Sequence, residues 1–557
     1  MFLCTLPAYG QLVVISEIMA DPSPSAGLPE SEYVELRNTG FWEVTLDGWQ
    51  LVCDDDTVEL TGAVILPYDY LVLCHASHAG DMAGYGRVLP VERMPNLSNA
   101  GESLFLMNRN GRMVSCVTYS DEWYDDDLKE EGGWSLEQVD ASNPCAGKEN
   151  WTASDDPLGG TPGRVNSAEG SNPDYISPRL RFVGMPDSIT VLLVFDEPLS
   201  GDAVLEEASY RVQGIGPPAG VRFYDNSFCR VSLVFGEPFR PGVRYRLEIR
   251  GLLQDCVGNL LRQDTYASFE LPRLPEAGDV VINEVLYDPW PGGAEYVEIY
   301  NRSNKTIDLS RLQMATPDDA RSQEVDYVTL SSTSRLFFPG QYRVCTRKPE
   351  RVAQHYTVEN PQALMELDRM PVLTNRGGLL VLAGAGYQTL DRLAFNGEMH
   401  FPLHGAGKGA SLERVHYDRP SDDPANWHTA AQWAGFGTPT YRNSQFAQPE
   451  SQGSAVRISP EVFSPDQDGR DDLLNIHLRF DRPGYVASVR VYDARGRLVR
   501  VLADHQTTGT ESIFTWDGRD DRHRKLSVGI YLVQVEAFHL SGDTKVYRKA
   551  CVLGGKL

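Results

Sequence analysis

No stretch of this chain holds the roughly 18 consecutive apolar residues that a membrane-spanning helix needs. Sustained helical periodicity is also scarce, which argues against a bundle or coiled coil. The nine cysteines form no Cys-x-x-Cys pair and no Cys/His cluster with zinc-finger spacing, so a structural zinc module is not expected. Neither Gly-x-Ser-x-Gly nor His-Glu-x-x-His occurs, which removes two common hydrolase signatures. Positive charge is short: 51 Lys and Arg stand against 77 Asp and Glu, for a formal charge of −26 and a pI near 4.8. Such a field repels phosphate backbones, so nucleic acid is not the expected partner. It suits solubility outside the cell, with some carboxylates available to a divalent cation.

What is present is enough apolar material for packed cores: 41% hydrophobic and 10% aromatic residues, with 50 Gly and 35 Pro to make turns. At 557 residues the length predicts three to five domains. The dominant feature is a repeat. Val14-Ile15-Ser16-Glu17 is answered by Val281-Ile282-Asn283-Glu284, and Asp21-Pro22 by Asp288-Pro289. Glu32-Tyr33-Val34-Glu35-Leu36 is answered by Glu295-Tyr296-Val297-Glu298-Ile299, each leading to an Asn, Asn38 or Asn301. The order holds through LDGWQL (from Leu46) and LSRLQM (from Leu309), WSLEQV (from Trp134) and ASLERV (from Ala410), and Asn150-Trp151 and Asn426-Trp427. Both copies end in Gly-Thr-Pro, at Gly160 and Gly437, then Asn-Ser, at Asn166 and Asn443. A shared order over a whole unit marks a duplicated domain.

Within each copy the pattern is all-β. EYVELRN alternates, placing Tyr33 and Glu35 on one face and Val34 and Leu36 on the other. SLFLMNRNGRMVSCVTY reads as a hairpin around Asn110-Gly111. The opening Ile15–Pro22, the EYVEL strand, the LDGWQL strand and the closing Asn150–Ser167 segment resemble the lamin tail domain, an immunoglobulin-like sandwich found in bacterial surface proteins and nuclear lamins. The second copy departs in turn and packing positions, Arg311-Leu312 replacing Gly48-Trp49 and Thr440 replacing Gly163.

Between the copies, FDEPL (from Phe195), Ser209-Tyr210 and the Asp255–Asn259 turn resemble bacterial Ig-like domains of the S-layer type. After the polar linker, WDGRD…GIYLVQV resembles the Ig-like domain of flagellar hook-capping proteins. FSPDQDGRDD resembles the start of C-terminal modules on gliding and surface proteins of Bacteroidetes, and the final strands resemble type IX secretion sorting signals. The expected fold class is all-β, a string of four Ig-like β-sandwich domains. Its plan is a truncated signal peptide at 1–10, lamin-tail-like domains at 11–170 and 278–446, a bacterial Ig-like domain at 175–273, a linker at 447–455 and a hook-capping-like domain at 456–557. Small residues Ala8 and Gly10 before Gln11 carry the signal-peptide expectation. Cysteine pairs within one domain, such as Cys229–Cys256, are candidate disulfides in an oxidising compartment, with connectivity left open.

The candidate metal site is Asp466, Asp468, Asp471 and Asp472 around Gly469, where spaced carboxylates could wrap Ca²⁺. It lacks the distal acid of an EF-hand, and an Asx turn starting a strand explains the same residues. The repeated acids Glu17, Glu35, Glu284 and Glu298 invite a glycosidase-like reading. Strand positions repeated with the fold favour the alternative, carboxylates that satisfy buried donors. His400 and His404, His75 and His78, and GAGKGAS (from Gly405) lack the helical or strand-to-helix settings that zinc or phosphate sites require. DEWYDDDLKEE (from Asp121) reads as a solvated acidic loop. The functional expectation is a non-catalytic secreted or cell-surface scaffold, exported via the periplasm, that adheres to protein or glycan partners at the cell envelope. The alternative is an accessory part in extracellular nucleic-acid, phosphoester or glycan degradation. No catalytic residue or certain cofactor is assigned.

Overall fold

The structure is a computed structural model that describes residues 13–53, 56–225, 227–262, 265–317, 325–400, 407–446, 455–465 and 471–555. Among its described residues strands far outnumber helices, and the only α-helices are three short ones, Ala79–Met82, Asp127–Glu130 and Pro349–His355. The multidomain all-β class expected from the alternating patterns is what forms. No helix among the described residues is long and apolar enough to cross a membrane. The chain divides after Leu271 into two compact units.

In the first unit, a six-stranded sheet has the order Trp151–Ala153, Leu136–Gln138, Val13–Met19, Tyr33–Asn38, Tyr70–His75, Val88–Val91. A four-stranded sheet runs Met113–Thr118, Ser103–Met107, Trp49–Cys53, Asp56–Leu60. Ile15, Val34, Leu36 and Leu73 of the larger sheet share one core with Leu51, Leu104 and Leu106 of the smaller. The strand Tyr33–Asn38 is built as its alternation predicts, with Val34 and Leu36 in that core. Its other face is covered as well: Tyr33 and Glu35 are both 0% exposed. The cover is the closing Gly-Thr-Pro segment, described below.

The same unit contains a second sandwich. Leu180–Gly184, Thr190–Phe195, Arg230–Val234 and Gly220–Phe223 make one sheet, and Tyr210–Val212, Tyr245–Ile249 and Thr265–Phe269 the other. It meets the first sandwich through an apolar cluster of Val52, Phe105, Met113, Cys116 and Phe228. Within that cluster a disulfide joins Cys145 to Cys256. The expected candidate pair Cys229–Cys256 is therefore incorrect. The two sandwiches pack together where Cys256 lies, bringing the Cα of Cys145 to 6.1 Å. Cys229 stays a thiol, and burial pushes it up to about 12, far from the reactive thiolate.

The second unit repeats the lamin-tail-like arrangement. Its six-stranded sheet runs Leu364–Glu366, Tyr342–Thr346, Tyr296–Asn301, Val280–Leu286, Leu412–Arg414, Trp427–Thr429. Even the parallel edge pairing is kept, Tyr70–His75 with Val88–Val91 in one copy and Tyr342–Thr346 with Leu364–Glu366 in the other. The last sandwich has a three-stranded sheet, Ala455–Ser459, Leu474–Arg479 and Glu511–Trp516. A five-stranded sheet accompanies it, Val462–Phe463, Thr544–Leu553, Gly529–His539, Tyr485–Asp493 and Leu498–Thr507. It is seated on the lamin-tail-like sandwich of its unit. The Thr510 amide donates to the Ser444 carbonyl at 3.1 Å, and the Gln432 amide to Thr507 Oγ1 at 3.2 Å.

Candidate functional site

The repeated acids come together. In the first copy Glu17 is the register partner of both Glu35 and Glu137 on its two neighbouring strands. In the second, Glu284 partners Glu298 and Glu413 in the same way. All six are 0% exposed. Carboxylates set side by side repel one another and cost solvation energy, so their partners must offset that.

The partners come from the neighbouring strands and, for every amide, from the closing segment. Glu17 Oε1 accepts from Tyr33 Oη at 2.7 Å, Ser135 Oγ at 2.6 Å and the Thr161 amide at 2.7 Å. Glu35 Oε2 accepts from the Gly163 amide at 2.6 Å. Glu137 accepts from Thr161 Oγ1, Ser167 Oγ and the Ala168 amide, each at 2.8 Å. The second copy reproduces this. Glu284 accepts from Tyr296 Oη, Ser411 Oγ and the Thr438 amide, at 2.6, 2.5 and 2.8 Å. Glu298 accepts from the Thr440 amide at 2.6 Å, and Glu413 from the Gln445 amide at 2.8 Å. Each triad thus fastens three amides of its closing segment to the sheet.

The shared Gly of Gly-Thr-Pro follows from this approach. A Cβ on Gly160 would stand 2.6 Å from Glu17 Oε1 and from Tyr33 Oη. The terminal Asn ties the segment down from its far end. Asn166 Nδ2 donates to the Ser16 and Gln138 carbonyls, and Asn443 Nδ2 to those of Asn283 and Arg414. The expectation that these acids satisfy buried donors agrees with this geometry. Glu137 and Glu413 are members that sequence reasoning missed, although the aligned WSLEQV and ASLERV segments held the signal.

Burial raises the carboxyls. Desolvation, only partly opposed by Ser135 and Thr161, lifts Glu17 from 4.5 to about 7, and desolvation beside Glu284 lifts Glu413 to about 8. Glu35 and Glu298 are held well above the usual carboxylate range, first by desolvation and then by Glu17 and Glu284 respectively. The folded state therefore keeps protons that the unfolded chain releases. That contribution is complete below about 4.5 and is lost as pH rises through about 7 to 8. The melting temperatures of both lamin-tail-like sandwiches should fall from pH 5 to pH 8.5, by the equivalent of about 3 kcal/mol per titrating carboxyl at one pH unit per 1.36 kcal/mol. Circular-dichroism melts across that range test it. Glu35→Gln should flatten the slope in the first copy alone.

The other candidates fall apart or lie elsewhere. His400 is buried with Nδ1 3.0 Å from Thr429 Oγ1, while His404 lies outside the described residues. His75 Nδ1 is spent on Ser77 Oγ at 2.7 Å, with the His78 ring centroid 6.4 Å away. In GAGKGAS the described Lys408 sits 3.5 Å from Asp288, a cation already opposite an acid. The acidic DEWYDDDLKEE segment folds into two single turns of helix, with Ser120 and Asp126 as caps. Of the calcium candidates, Asp466 and Asp468 lie outside the described residues. Asp471 is exposed at a φ of 50°, and its carbonyl accepts from the Ser464 amide at 2.9 Å; Asp472 beside it is half-buried. Elsewhere, Asp174, Glu197 and Asp255 bring one oxygen each within 4.8 Å of one another. Asp255 Oδ1 is occupied by the amides of Val257, Gly258 and Asn259, at 2.9, 2.7 and 2.9 Å.

Among the described residues, a cleft of about 1300 Å³ opens in the second unit, beside the contact of its two sandwiches. One wall is the loop after Trp427–Thr429, including Trp433, Tyr441 and Arg442; the other is the sheet bearing Arg457, His477 and Arg479. No local motif announces it in the sequence, because its walls come from two domains.

Comparison with known proteins follows this division. The Lamin Tail Domain family matches residues 7–121 and 274–389, and the FlgD Ig-like domain matches residues 466–540. No curated protein matches the chain. Among solved structures, CopC from Methylosinus trichosporium OB3b is similar at 20% identity and a TM-score of 0.12, over 15% of this chain and 76% of that one. The surface layer protein SbsC, domains 1–6, aligns at 10% identity and a TM-score of 0.16, over 69% of this chain and 55% of that one. PorZ, a bacterial surface component of the type-IX secretion system of Porphyromonas gingivalis, aligns at 13% identity and a TM-score of 0.15, over 81% of this chain and 56% of that one. At such scores these likenesses carry no functional argument. The chain carries two lamin tail domains and, toward its C-terminal end, a FlgD Ig-like domain.

Proposed function

We propose that this protein is a non-catalytic scaffold of the cell surface or secreted space, presenting ligand-binding surfaces on paired sandwiches at the envelope. The observation that carries the reading is the use of the repeated acids: all six are sealed from solvent and fasten the closing segments. A general acid or nucleophile must reach a substrate, and no substrate reaches these without unfolding the segment that covers them. The paired construction supports a stiff support. One pair is cross-linked by Cys145–Cys256, a bond that also favours an oxidising compartment. The other is held by contacts that include a main-chain hydrogen bond from the Thr510 amide to the Ser444 carbonyl. Export proceeds through the periplasm, with the C-terminal sandwich as the candidate signal for type IX secretion.

Two experiments test this together. Protease treatment of intact source cells should remove the protein from the surface. The purified full chain should leave nucleic acid, phosphoester and glycan substrates intact over hours. Hydrolysis that disappears in Glu17→Gln or Glu284→Gln variants that still fold would overturn the proposal.

A further inference from the structure

We propose that the cleft of the second unit binds an anionic polysaccharide. The inference rests on the scaffold reading above and gives it a ligand class. Three observations point to the ligand.

The cleft is charged against the grain of the molecule. Arg442, Arg457 and Arg479 line it against the acids Glu359 and Glu511, an excess of positive charge in a chain of formal charge −26. Arg442 is engaged with Glu511 at 3.3 Å. Arg457 and Arg479 are exposed and, among the described residues, pair with no acid. They stand on adjacent strands of one sheet, since Arg457 registers with His477 and Ala455 with Arg479. Two guanidinium groups on one wall, with no acid partner among the described residues, can take carboxylate or sulfate oxygens in bidentate fashion.

Opposite them stands an aromatic side chain that the fold does not require. Trp433 is 40% exposed on the loop leading to Gly-Thr-Pro. The first copy has no aromatic residue between Trp151 and Gly160, and it has Arg164 at the position of Tyr441 and Val165 at that of Arg442. Since the first copy closes in the same way without these residues, they answer to something other than closure. An exposed indole offers a flat apolar face for the C–H face of a sugar ring.

Next to this wall, one residue before Tyr441, the backbone is strained. Thr440 has a φ of 80° where the first copy uses Gly163 at 77°. Both copies need this left-handed turn for closure, but only the second places a β-branched residue in it, a strained choice. Its hydroxyl accepts the Glu359 and Asn360 amides, both at 3.1 Å, which fixes the loop carrying Glu359 at the cleft. At about 1300 Å³ the space exceeds that of an ordinary small-molecule pocket and suits several sugar residues of a polymer.

The experiment uses the full chain, with alginate oligosaccharides, dextran sulfate and neutral dextran of matched length as probes in isothermal titration. Alginate and dextran sulfate should bind, with affinity falling as salt rises, and neutral dextran should not. Trp433→Ala and the double variant R457A/R479A should each weaken binding at least tenfold with unchanged melting temperature. Glu359→Gln should tighten it several-fold by removing a repelling carboxylate, a gain that a merely structural role would not give. Equal binding of neutral dextran would overturn the anionic assignment. Binding undiminished in the cleft variants would place the sugar elsewhere and end the proposal for this cleft, while leaving the scaffold reading intact. Absence of binding to either anionic polymer would end it as well.

Discussion

Glu17→Ala should lower the first lamin tail domain's unfolding transition by roughly 10 °C, leaving the second copy's transition in place. The substitution strands the Tyr33 and Ser135 hydroxyls and the Thr161 amide, all of which now donate to one buried oxygen. A stranded buried donor costs about 1–3 kcal/mol, and this substitution strands three. Glu17→Gln keeps an acceptor oxygen for all three donors and sets its NH₂ beside Thr161 Oγ1, where Oε2 now lies. Its cost should be about 1–2 kcal/mol. Glu284→Ala should act on the second copy in the same manner, since it loses Tyr296, Ser411 and Thr438. Differential scanning calorimetry resolves the two transitions. A shared shift in both copies would mean that the triads do not act locally.

The second large effect concerns the first unit's cross-link. Reducing Cys145–Cys256, or replacing either residue by Ser, should destabilise that unit by about 4–5 kcal/mol on the chain-entropy account for a loop of this size, the two residues being 111 apart. The second unit has no disulfide among its described residues and should be indifferent to reductant. Non-reducing peptide mapping checks the connectivity directly. A Cys229–Cys256 peptide would contradict the packing of the two sandwiches described above.

These two predictions mark what can and cannot be read in the sequence. The duplication is legible because the same strands and turns recur in order. An architectural role for Glu17 and Glu35 follows from recurrence alone. Their partners do not: the Thr161 amide is 144 positions from Glu17, and hydrogen bonds at that range leave no local pattern. EYVELRN has the alternation of a strand with one polar face toward solvent, yet Tyr33 and Glu35 are sealed because the closing segment returns over them. The disulfide escapes a sequence reading for a related reason. Pairing within a domain is a sound prior only when domains do not pack on one another, and here an apolar cluster around Phe105 and Phe228 joins them. The cleft is invisible in sequence because Trp433 and Arg457 belong to different sandwiches.

Amide hydrogen exchange of the closing segments tests the central claim most directly. If the glutamates fasten them, the amides of Thr161, Gly163 and Ala168, and of Thr438, Thr440 and Gln445, exchange as slowly as the strands they cover. Glu17→Ala then accelerates exchange in the first set only. Exchange at the rate of an open loop in the unmodified protein would show that the repeated acids hold nothing, and would reopen the question of what they are for.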